Sequence, residues 1–70
     1  MVQKRLQTAV GRLVSDFIRF SFKHPYIWKD ENWDATYALV ESIANLITIA
    51  VGGTDPNPVI NNIMEKCGRK

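Results

Sequence analysis

The sequence predicts an all-α fold: a small three-helix domain over residues 1–70, with helices at about 2–23, 33–51 and 58–67, completed by oligomerisation. Three observations predict it. Apolar residues recur at helical spacing in the first and last stretches. Between them, residues 33–53 (WDATYALVESIANLITIAVGG) are apolar around most of a helix's circumference. Proline and glycine punctuate the joints, at Pro25, at Gly52-Gly53, at Pro56 and Pro58, and at Gly68.

In the first helix, Val2, Leu6, Ala9, Val10, Leu13, Val14, Phe17 and Phe20 share one broad face. Such a face suits packing on a core better than a narrow coiled-coil seam. Gly11 interrupts it at a cost of about 1 kcal/mol against alanine, and is read as a tolerated imperfection rather than a close helix contact. Lys23-His24-Pro25 ends the helix, because the residue before a proline is pushed out of the α region and cations suit a helix C-terminus. Tyr26, Ile27 and Trp28 follow, and all three are expected to pack down onto the core.

Asn32 is the expected N-cap of the second helix, with Asp30 as the alternative. Asp34, Glu41, Asn45 and Thr48 form its narrow polar strip, expected to face solvent. Gly52-Gly53 supplies a left-handed cap and a turn. The apolar run from Ala35 to Val51 gives about 26 Å of helix, against about 30 Å of bilayer core, and it contains Glu41 and Asn45. Membrane spanning is therefore disfavoured. For the third helix two caps compete, Asn57 before Pro58 or Asp55 before Pro56; Asn57 is preferred. Val59, Ile60, Ile63, Met64 and Cys67 share its apolar face, Gly68 caps it, and Arg69-Lys70 reads as a frayed end.

A chain of 70 residues buries little surface and needs a staple or a partner. Cys67 is the only cysteine, so no disulfide forms within one chain. One histidine and one cysteine do not build a zinc site unaided, and no metal or other cofactor is expected. His24 reads as a helix-terminal residue and Cys67 as a small buried hydrophobe. A lone thiol and the lack of a signal-peptide pattern point to a cytoplasmic location. Partners remain as the stabiliser.

Net charge is only +2, but its distribution is uneven. Residues 1–24 carry Lys4, Arg5, Arg12, Arg19 and Lys23 against Asp16 alone. Residues 25–58 carry Lys29 against Asp30, Glu31, Asp34, Glu41 and Asp55. Arg5, Arg12 and Arg19 recur every seven residues, Lys23 follows, and the four project within about 40° of one another. The stripe suits a phosphate backbone, an anionic membrane surface or an acidic protein partner, including the acidic middle of another copy. As a plain solvated edge it would pair Asp16 with Arg12 and Arg19. Against nucleic acid stands the break between the first two helices, too long and too aromatic for a tight helix-turn-helix.

Trp28 and Trp33 bracket the acidic cluster as candidate aromatic anchors for a partner, with core roles as the competing reading. No nucleophile–base pair is visible, so no catalytic residue is assigned and the chain is read as non-enzymatic. The second helix is too apolar for two short neighbours to cover. Its Ala35, Ala38, Ser42, Asn45 and Ile49 are the candidate interface, with small residues permitting close approach. The expected function is an assembly or adaptor subunit working through helix–helix contacts with itself or a protein partner. The alternative is a small nucleic-acid-binding protein that lays the basic stripe of its first helix on phosphates.

Overall fold

The computed structural model describes residues 4–69, and within them three helices and no strand. Helix α1 spans Lys4–Lys23. A short 3-10 turn covers Pro25–Trp28. Helix α2 spans Asp30–Ala50 and α3 spans Asn57–Lys66. Helix α2 is the spine, touching α1, α3 and the turn. The all-α expectation holds; Val2 and Lys70 lie outside the described residues.

The core is small and continuous. Val40, Ile43 and Ala44 of α2 meet Phe17 of α1, Trp28 of the turn, and Ile60, Ile63, Met64 and Cys67 of α3 and its cap. Phe17 and Trp28 meet edge to face at 6.4 Å, a geometry their ring quadrupoles favour. Arg69 carries its guanidinium 5.2 Å from the centre of the Trp28 ring, a contact that the expectation of a frayed Arg69 did not include.

Several boundaries differ from expectation, each for a local reason. Helix α2 starts at Asp30, with extended Lys29 before it and no side-chain cap. Asn32 does not cap, because its amide donates to the Tyr26 carbonyl instead. Asp30 is itself helical, and with Glu31 it places negative charge in the first turn, where the helix dipole favours it. At α3 neither expected cap forms as assigned: Asn57 is the first helical residue, Pro56 stands at the cap position without a side-chain cap, and the Asp55 carboxylate accepts the Asn57 N–H across it. Of the turn residues, Trp28 is buried and Ile27 half-buried, but Tyr26 is 53% exposed. It sits outside, edge-on to His24.

Both helix ends that were assigned glycine caps have them. Gly52 and Gly68 adopt positive φ, which only glycine reaches freely. The Gly53 N–H reaches back to the Thr48 carbonyl and the Arg69 N–H to the Met64 carbonyl, closing two Schellman motifs. A Cβ on Gly11 would meet nothing within 4 Å, so this glycine marks no close helix contact.

The broad apolar face assigned to the first helix is only partly buried. Val10 and Phe17 are inside, with Val14 and Ile18 packed against the core. Leu6, Ala9, Leu13 and Phe20 remain exposed. Ser21 is buried instead, its hydroxyl satisfied by the Ile18 carbonyl. The polar strip of α2 also loses a member. Thr48 is buried and donates to the Ala44 carbonyl, while Asp34, Glu41 and Asn45 face solvent.

Candidate interaction surface

Helix α2 has two apolar faces. The inner one, with Thr36, Val40, Ile43 and Ala44, is held against the rest of the fold. Thr36 anchors it by donating to the Ile27 carbonyl. The outer one is open. Ala35, Ala38, Ser42, Asn45 and Ile49 are all exposed on it. Two leucines that were not assigned to the interface complete it: Leu39 is 49% exposed and Leu46 is 46% exposed. Their signal was present in the sequence, because at 100° per residue they fall about 40° and 20° from Ala35.

The polar groups in this strip are already satisfied within the helix. The Ser42 hydroxyl donates to the Ala38 carbonyl at 3.0 Å, and the Asn45 amide to the Glu41 carbonyl at 2.8 Å. Covering the strip would therefore leave fewer donors stranded than its composition suggests. One edge of the strip is acidic, formed by Asp34 and Glu41, with Glu31 one turn before Ala35 at the strip's N-terminal end, all exposed.

On α1, Arg5, Arg12, Arg19 and Lys23 are exposed, as the stripe requires. Arg19 lies 3.7 Å from Asp16, with both side chains more than half exposed. Arg12 forms no ion pair with it among the described residues. A solvated pair of this kind is worth little, and it leaves the stripe basic. Beside the stripe runs the uncovered ridge of Leu6, Ala9, Leu13 and Phe20.

The two tryptophans part company. Trp28 is 7% exposed, and its indole N–H has no hydrogen-bond partner among the described residues. It belongs to the core and offers nothing to a partner. Trp33 is on the surface, packed against Trp28 at 5.8 Å and stacked on Tyr37 at 6.4 Å. It lies well round the helix from the outer strip, about 160° from Ala35 on the 100° wheel, so it is not part of that face. His24 rests on Phe20 at 4.4 Å, and Cys67 is buried with a free thiol.

An apolar groove of about 330 Å³ lies between the N-terminal half of α1 and the end of α2, lined by Val10, Gly11, Val14, Ile47, Ala50 and Val51. Gln7 closes one side of it by donating to the Ala50 carbonyl at 3.2 Å. No titratable side chain lines this groove. Among the described residues no group of three or more His, Cys, Asp or Glu side chains is placed to hold a metal ion. No described helix is long and apolar enough to cross a membrane. Neither a protein-family model, nor a curated protein, nor a solved structure matches the chain.

Proposed function

We propose that this chain is a non-enzymatic assembly or adaptor subunit that acts through helix–helix contacts on the outer face of α2. One observation carries the reading: Leu39, Leu46 and Ile49 stand 49%, 46% and 63% exposed in a line along one helix. Single exposed apolar residues are ordinary, but a contiguous strip, here bordered by charge along one edge, marks a contact surface. The internally bonded Ser42 and Asn45 add to it, since they lower the desolvation cost of a dry contact. The test is particle size. In a gentle extract of cells that make the protein, the chain is expected to travel in a particle larger than its own 8.0 kDa. Leu46→Lys is expected to release it as a monomer with its helices intact by circular dichroism. A native particle of monomer size would overturn the reading.

The second reading, a nucleic-acid-binding protein, is supported by the four exposed cations of the α1 stripe. If they neutralise phosphates, duplex binding should fall with salt at a log–log slope of about −3 to −4. Absence of a gel shift at low salt ends that reading.

A further inference from the structure

We propose that the surface covering the outer face of α2 is α1 of a second copy of this chain, laid antiparallel across it. The inference rests on the assembly reading above and adds the identity of the occupant. It starts from the uncovered ridge of α1, which gives the molecule two open apolar strips, each with one charged edge. The edge on α1 is basic and the edge on α2 is acidic.

Handedness fixes the direction of packing. Viewed down each helix from its own N-terminus, the charged edge lies on the same rotational side of the apolar strip, by about 30–110° on the 100° wheel. Two facing helices with that property bring their charged edges together only when they run antiparallel. In a parallel pair the cations and carboxylates fall on opposite sides of the seam.

Length and size then fix a register. The ridge from Leu6 to Phe20 and the strip from Ala35 to Ile49 have the same length, about 21 Å at 1.5 Å per residue. Setting Leu6 across from Ile49 places Phe20 across from Ala35. In between, Ala9 faces Leu46 and Leu13 faces Ser42, so large side chains meet small ones at these positions, while Leu6 meets Ile49 as a large pair and Leu39 falls level with Asp16. The same register brings Lys23 between Glu31 and Asp34, Arg19 near Asp34, and Arg12 near Glu41. Each offset is two residues or fewer, about 3 Å along the axis. Arg5 finds no carboxylate opposite, and Asp16, beside Arg19 at 3.7 Å, is the one like charge within two residues of Glu41.

The contact joins unlike surfaces, so each copy presents one strip of each kind. Such heterologous contacts close into a ring or run on as a filament. The charge match chooses direction and register, and the apolar seam supplies most of the adhesion.

Charge reversal with rescue tests this on the purified chain by sedimentation equilibrium. The wild type is expected to exceed 8.0 kDa at micromolar concentration. A chain with Arg12→Glu, Arg19→Glu and Lys23→Glu, and a second chain with Glu31→Lys, Asp34→Lys and Glu41→Lys, should each associate at least about tenfold more weakly, the scale of a few exposed ion pairs turned into repulsions. Mixing the two chains should restore association, and so should combining all six changes in one chain. Reversals without effect, or loss without rescue, overturn the proposal. Leu46→Lys separates the two ideas. If it abolishes association while the reversals leave it untouched, α1 is not the occupant but α2 is still the docking face. A purified chain that stays at 8.0 kDa, beside a larger particle in the extract, removes the second copy and leaves a different protein partner.

Discussion

Helices α3 and α2 both carry substantial apolar surface, and they place it differently. On α3, Ile60, Ile63 and Met64 are buried, Val59 is half-buried, and the polar residues face out. On α2, Val40, Ile43 and Ala44 are buried while Leu39, Leu46 and Ile49 are not. The first pattern is an amphipathic helix serving one core. The second exceeds what a chain of this size can cover, because α1, α3 and one turn reach only one side of the spine. Apolar content beyond the core's needs is thus the informative quantity, more than apolar content itself.

The sharpest way to break that contrast is a matched pair of truncations. Ile63→Ala in α3 should cost about 2–5 kcal/mol in urea unfolding, since Ile63 is 1% exposed and its loss leaves a cavity. Leu46→Ala in α2, measured dilute enough to keep the chain monomeric, should cost under about 1 kcal/mol. Equal losses would mean that the outer strip already belongs to the core.

Trp28 allows a graded version. Trp28→Ala should cost about 3–5 kcal/mol. Trp28→Phe should cost clearly less, because it keeps most of the contact with Phe17 and removes an indole N–H that has no partner. If the two variants melt alike, the phenyl ring restores none of the packing against Phe17.

Smaller effects sharpen the ends and edges of the two helices. Asp55→Ala should cost about 0.5–2 kcal/mol through the first turn of α3, whereas Asn32→Ala, which caps nothing, should cost less. Gly11→Ala should raise stability by up to about 1 kcal/mol, because its Cβ meets open space. Asn45→Ala should stay within about 0.5 kcal/mol in the monomer, as its amide bonds only its own helix at the surface. A loss above about 2 kcal/mol would mean that the polar edge is buried in an assembly.

How much of this was legible in the sequence depends on which interaction decides each feature. Helical spacing and glycine caps are local, so three helices and the closures at Gly52 and Gly68 could be read directly. Caps made by side chains were harder, because Asn32 and Asp55 choose among nearby backbone partners whose positions the sequence does not display. Periodicity places residues on a face but does not say how wide a neighbour is. The face containing Leu6, Val10, Leu13 and Phe17 therefore looked uniform, although α2 and α3 cover only part of it. Thr48 misled for a related reason: a threonine that bonds its own helix at Ala44 behaves as an apolar group and can be buried. The outer strip of α2 was half legible, its small residues noticed and its leucines missed.

The glycine closure of α2 bears on the order of events. Gly52 turns the chain within residues 51–56, so α3 begins to pack on α2 almost as soon as both exist. Local helix pairing of this sort belongs to the microsecond-to-millisecond regime. The tight connection also leaves little slack for α3 to reach across to another copy. If the chain assembles as proposed, monomers should therefore finish folding before they meet and dock as finished units, at a rate set by encounter and salt rather than by the exchange of helices.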